Sequence, residues 1–146
     1  ARPTPTLRGC HASAAPPRLL GHDVNDPETV ATAIRIGRPA SGKLALAARD
    51  ESEGLIDAVT DEQILDAQTF LAAREGIFVE PASAVGVAGL FKLKSEGRLD
   101  PGLRIVVTVT GNGLKDIDTA LSRTTWSTEA VEASTDQVAA LLDFCS

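Results

Sequence analysis

The chain has 146 residues, room for one domain with a real core, and 43% of them are hydrophobic, close to the globular average. Its net charge of −6, with four Phe, one Trp and no Tyr, argues against a basic phosphate-binding face and against an aromatic stacking platform, so no nucleic-acid partner is expected. Cys10 and Cys145 form no CxxC pair, and His11 and His22 stand apart from other ligand types, so two free thiols and no metal site are expected. The longest apolar run, residues 84–91, is far shorter than the ~20 residues that span a bilayer. A soluble, cytoplasmic protein is expected.

Residues 1–22 contain Pro3, Pro5, Pro16 and Pro17 together with Arg2, Arg8 and Arg18, and no acidic residue. Proline at that density interrupts helices and sheet ladders, so an irregular tail is predicted, with residues 23–146 as the ordered domain. Asp26-Pro27-Glu28 reads as a helix start, with a cap, a proline at the first helical position and a carboxylate at the positive end of the dipole. That helix is expected to run to about Ile36 and stop at Gly37. A second helix is predicted from Ser41, carrying Leu44 and Leu46, with Gly54 beyond it. Leu55 to Val59 suits a strand. Thr60-Asp61-Glu62-Gln63 has capping-box spacing, and the helix behind it sets Ile64, Leu65, Ala67, Leu71 and Ala72 on one broad face before Gly76.

Glu80-Pro81 opens another helix, over residues 82–96, that is poor in bulk. Gly86 and Gly89 within it each cost ~1 kcal/mol relative to alanine, which is tolerable where another part of the chain must come close. Residues 104–110, with Ile105, Val106, Val107 and Val109, read as a parallel strand buried on both faces. Ser134 to Gln137 offers a second capping box, for a helix ending near Phe144. Alternation at this pitch implies an α/β fold. Two or three strands are few for a doubly wound sheet, so the expectation is part of such a domain: a partial three-layer parallel sheet flanked by helices.

Two segments carry candidate chemistry. In Thr108-Val109-Thr110-Gly111-Asn112-Gly113-Leu114-Lys115-Asp116 a strand ends in threonine and passes directly into Gly-x-Gly. Ligands of open α/β sheets lie beyond the carboxyl ends of strands, and the glycines would admit a close ligand or take positive φ. A plain tight turn with Asn112-Gly113 at its tip explains the same residues. The full dinucleotide fingerprint is absent. In Glu75 to Ala84, Glu80 stands at a helix start as a cap, or else Glu80 or Ser83 borders a ligand site.

These two segments, with Pro27-Glu28-Thr29-Val30-Ala31-Thr32-Ala33-Ile34-Arg35-Ile36-Gly37 and Pro39-Ala40-Ser41, resemble threonine synthase, a fold-type II pyridoxal-phosphate (PLP) enzyme, over residues 22–121. Glu-Gly-x-x-x-Glu-Pro-x-x-Ala is shared with relatives such as threonine dehydratase, whereas Thr-Gly-Asn-Gly-Leu-Lys-Asp is the more specific motif. The resemblance implies the C-terminal portion of an enzyme that converts O-phospho-L-homoserine and water to L-threonine and phosphate. It implies that Thr110 contacts the pyridine nitrogen of PLP and that Gly111 and Gly113 shape the turn beside the ring. The family's Schiff-base lysine, phosphate-cradling loop and cofactor-contacting asparagine have no counterpart here, so no catalytic residue is assigned. Lys43, Lys92, Lys94 and Lys115 are expected to be solvated. On this reading the isolated chain is inactive and binds PLP in no specific way. The alternatives are a fragment of another fold-type II lyase and a non-catalytic half that docks on a separate N-terminal half; homo-oligomerisation is a further expectation.

Overall fold

A computed structural model describes residues 5–14, 21–123 and 130–142. Its sheet has two parallel strands, β1 (Arg8–Ala12) and β2 (Leu55–Val59), paired from Arg8 with Leu55 to Ala12 with Val59. The ladder is extended at both ends, by Leu55 N–H to the Leu7 carbonyl at 3.0 Å and Ser13 N–H to the Val59 carbonyl at 2.7 Å. Helix α1 (Gly42–Glu51) precedes β2 and follows Ser41 as expected. Helix α2 (Asp61–Glu75) begins on the predicted capping box: Gln63 N–H donates to Thr60 Oγ1 at 3.2 Å and Thr60 N–H to Gln63 Oε1 at 2.9 Å. It stops at Gly76, whose φ of 67° is the left-handed end that glycine adopts without steric cost.

Helix α3 (Pro81–Ser95) starts with proline, whose missing N–H is no loss in a first turn. It packs on α2 and on both strands. The core between them is built from small and branched residues, Ala12, Val59, Ile64, Ala67, Leu71, Ala84, Val85 and Ala88. Of the face predicted for α2, Ile64, Ala67 and Leu71 are buried and Ala72 is exposed. Gly89 shows why α3 is poor in bulk: a Cβ there would overlap the Cys10 sulfur on β1. Phe70 and Phe91 meet edge to face across α2 and α3, with ring centroids 5.1 Å apart. Two short helices follow, α4 (Ile117–Ser122) and α5 (Thr135–Leu141). At α5 the cap is half of the expected box, because Gln137 N–H donates to Ser134 Oγ at 3.2 Å while Gln137 Oε1 takes the Glu132 N–H. Phe144 lies outside the described residues.

Three expectations are corrected. Residues 27–36 form no α-helix and hold only a 3-10 turn, Thr32–Ile34. The backbone groups needed for a first turn are taken by tertiary partners. Val30 N–H donates to Asp61 Oδ2 at 3.0 Å, and the Thr29 carbonyl accepts from Arg35 Nη2 at 2.6 Å and Nε at 3.0 Å. Arg8–Ala12 falls in the segment expected to be irregular and forms β1, because its prolines flank the strand rather than interrupt it. Residues 104–110 form no strand, and Ile105, Val106 and Val109 are 44%, 87% and 40% exposed. No strand among the described residues lies beside them, so the expected burial on both faces is not achieved. The α/β class holds, with the second strand drawn from the N-terminal segment. Among the described residues no helix is long and apolar enough to cross a membrane.

Candidate functional site

The Thr110–Gly111 backbone is seated on the first turn of α3. Ser83 Oγ, in that turn, accepts from Thr110 N–H at 3.1 Å and Gly111 N–H at 2.9 Å, and lies 3.1 Å from Thr110 Oγ1. Glu80 N–H donates to the Gly111 carbonyl at 3.0 Å, and Gly113 N–H to the Phe78 carbonyl at 3.1 Å. Val79 and Asn112 close an isolated antiparallel bridge between the same two segments. The two motifs, about 30 residues apart in sequence, therefore form one unit.

Glu80 is not the side-chain cap that its position suggests. Its carboxylate is buried, at 3% residue exposure, against the Cα of Gly111. Oε2 lies 2.7 Å from the Lys115 ammonium, an ion-pair contact without hydrogen-bond alignment. Gly113 is pressed in the same way on the Phe78 ring. Neither glycine has positive φ; both serve close approach to this chain's own side chains, not to open space. Asn112 does not sit at a turn tip. Its Oδ1 accepts the Leu114 N–H at 2.9 Å and starts a 3-10 turn, Gly113–Asp116.

A third segment joins this unit. Asp61, in the first turn of α2, takes Thr29 Oγ1 at 2.6 Å as well as the Val30 N–H, and Thr32 Oγ1 lies 3.1 Å from both Asp116 carboxylate oxygens. Sequence reasoning missed Thr29, Thr32 and Asp61 as site-organising residues. Their partners lie 32 and 84 positions away, and no local spacing signals such pairs.

Lys43, Lys94 and Lys115 are exposed as expected, and one lysine departs from expectation. Lys92 is not solvated: Nζ donates to Asp57 Oδ1 at 2.9 Å and to the Ala58 carbonyl at 2.7 Å. Lys115 is exposed and at the same time paired with Glu80. Burial by itself pushes the Asp57 carboxyl up. The Lys92 hydrogen bond, the Ala58 N–H and the charges of Lys92 and Arg98 outweigh that and hold it below the ordinary value. Nearby Cys10 is pushed up, first by burial and then by the Asp57 charge, against the opposing Lys92. A thiol so raised stays protonated and is a poor nucleophile.

The arrangement thus presents one positioned polar group at an exposed edge, the Thr110 hydroxyl, on a backbone fastened by Ser83 and Glu80. A hydroxyl so placed fits the ring-nitrogen contact of a pyridine cofactor, and the lysine that joins this unit, Lys115, is paired with Glu80. A parallel ladder covered by α3, with an exposed loop fastened to the helix's first turn, is an arrangement of α/β domains. The chain belongs to the family described as pyridoxal-phosphate dependent enzyme, which it matches over residues 1–111. The match begins at residue 1, so it takes in the proline-bearing segment that the motif resemblance left out.

Within that family it is similar to threonine synthases. It is 52% identical over 117 residues to that of Mycobacterium leprae, covering 80% of this chain and 32% of that protein. It is 49% identical over 118 residues to that of Halalkalibacterium halodurans (81% and 33%) and 50% identical over 125 residues to that of Methanocaldococcus jannaschii (80% and 31%). The chain spans about a third of the length of the curated relatives it matches. Among solved structures, an O-ureido-L-serine synthase superposes with a TM-score of 0.65 at 20% identity, over 99% of this chain and 40% of that one. An L-serine ammonia-lyase from Rhizomucor miehei gives 0.57 at 18% identity, over 81% and 41%. At those identities the likeness is one of fold.

Proposed function

We propose that this chain is the C-terminal portion of a threonine synthase acting in the cytoplasm on O-phospho-L-homoserine, with Thr110 as the partner of the PLP ring nitrogen. The observation that carries the reading is the Ser83 cradle, which holds the Thr110–Gly111 backbone and leaves the Thr110 side chain at an exposed edge. Gly111 and Gly113 are assigned to the turn beside the ring. When bound, PLP supplies the electron sink of the reaction. The chain's own residues orient the ring from its nitrogen side, and none in the described segments is assigned to proton transfer. The 52% identity to a threonine synthase supports this reading over a dehydratase fragment.

The exposed apolar segment around Val106 supports a second element of the proposal: activity requires a separate or attached N-terminal portion that covers it. The test uses the holoenzyme that carries this segment. Thr110→Val keeps the shape and removes the hydroxyl, and is expected to change the cofactor absorbance and lower turnover of O-phospho-L-homoserine. An unchanged spectrum with unchanged turnover overturns the Thr110 assignment. Turnover of L-threonine in place of O-phospho-L-homoserine overturns the choice of reaction.

A further inference from the structure

Counting hydrogen bonds fixes the direction of the Ser83–Thr110 contact. A hydroxyl has two acceptor sites and one proton to donate. Ser83 Oγ already accepts two backbone N–H groups, those of Thr110 at 3.1 Å and Gly111 at 2.9 Å. Both acceptor sites are filled, so in the 3.1 Å contact with Thr110 Oγ1 the proton comes from Ser83. Ser83 is 6% exposed, and Thr110 Oγ1 is the acceptor available to that proton among the described residues. A buried donor left unmade is disfavoured, which locks the direction.

Thr110 Oγ1 thereby becomes an acceptor on its protein side and keeps its own O–H for its exposed side. We infer that Ser83 is a positioning residue that makes Thr110 a hydrogen-bond donor toward whatever ring lies against it, and so selects an unprotonated pyridine nitrogen. The inference rests on the proposed contact between Thr110 and the cofactor. A protonated nitrogen would need Thr110 to accept a second time, and the Thr110 proton would then find no acceptor among the described residues. A neutral nitrogen satisfies every group in the chain from Ser83 through Thr110 to the ring. The donation from Ser83 also polarises the Thr110 O–H, which strengthens it as a donor.

The test has two arms. In the 146-residue chain without cofactor, amide exchange at Thr110 and Gly111 is expected to quicken about tenfold in Ser83→Ala, the equivalent of one lost hydrogen bond. Ser83→Thr, which keeps a hydroxyl, restores protection. Unchanged exchange in Ser83→Ala overturns the bond count. In the holoenzyme carrying this segment, PLP labelled with 15N in its ring reports nitrogen protonation through its chemical shift. The wild type is expected at the neutral-pyridine shift. Ser83→Ala is expected to move it toward pyridinium, because the vacated space admits water as another acceptor for the Thr110 proton, and Ser83→Thr is expected to bring it back. A pyridinium shift in the wild type overturns the inference without any variant. Thr110→Val separates the two readings. If it leaves the 15N shift untouched, the cofactor contact itself is wrong. If it moves the shift while Ser83→Ala does not, the contact stands and the role of Ser83 falls.

Discussion

The Cα of Gly111 rests on the carboxylate of Glu80, so that a methyl group there would occupy the space of Cδ and Oε1. Glu80 is held from both ends, by its N–H on the Gly111 carbonyl and by Lys115 on Oε2, and has little freedom to yield. Gly111→Ala is therefore expected to lift the 110–113 loop from α3 and to destabilise the chain by about 1–3 kcal/mol. Gly9→Ala on β1 is the comparison: its Cβ would meet Ile56 Cγ1 at 3.5 Å, an ordinary contact. Urea midpoints of the two variants check this, and equal midpoints would count against the clash.

The ion pair between Asp57 on β2 and Lys92 on α3 predicts a pH dependence. Asp57 is held below its ordinary value when folded. A depressed acid contributes stability that is fully present above the unfolded carboxyl pKa, roughly 3.9, and is lost as pH falls through the folded value. Wild type and Asp57→Asn should thus differ most near neutral pH and converge below about pH 4. Lys92→Met, which also loses the bond to the Ala58 carbonyl, is expected to cost about 1.5–3 kcal/mol at neutral pH. Denaturation midpoints measured across that range provide the check. A gap that widens on acidification would reverse the sign assigned to Asp57.

Asp61 does two jobs at the start of α2, favouring the helix dipole and fastening Thr29 and Val30. Asp61→Ala is expected to cost about 1.5–3 kcal/mol. It should also free the Thr29–Thr32 stretch, with amide shift changes that reach Asp116 through Thr32. Asp66→Ala, whose described partner is Arg123 at 2.7 Å on an exposed surface, should cost less than about 1 kcal/mol. Amide spectra and thermal unfolding of the pair distinguish a long-range fastening from a general loss of surface charge.

Of the four family contacts with PLP named above, the ring-nitrogen contact is the one proposed for this chain. One neutral hydrogen bond nets about 0.5–1.5 kcal/mol, whereas millimolar affinity needs roughly 4 kcal/mol. The 146-residue chain is thus expected to form no threonine from O-phospho-L-homoserine. Borohydride reduction in the presence of PLP should scatter label over surface lysines, with Lys92 protected by its bonds to Asp57 and the Ala58 carbonyl. A single stoichiometric lysine together with threonine production would show that the chain is a complete enzyme.

Elements that depend on neighbours a few residues away were legible in the sequence. The Thr60 box, the Gly76 stop, Pro81 at the head of α3 and the strand at Leu55–Val59 each rest on local sterics or on the reach of one side chain to a nearby N–H. The motif around Thr110 was legible as a motif, and so was the family. Tertiary structure decided where local signals were opposed by distant partners. Asp26-Pro27-Glu28 has every mark of a helix start, yet Asp61 and Arg35 take the Thr29 and Val30 backbone groups that the helix would use. Glu80 looks like a cap and becomes a buried wall for Gly111, and Ser83 sets the direction of the Thr110 hydroxyl. Residues 104–110 have the composition of a buried strand, but burial needs a second surface, and among the described residues none lies beside them. Composition sets what a segment is able to bury; only the packed chain supplies the groups it is buried against.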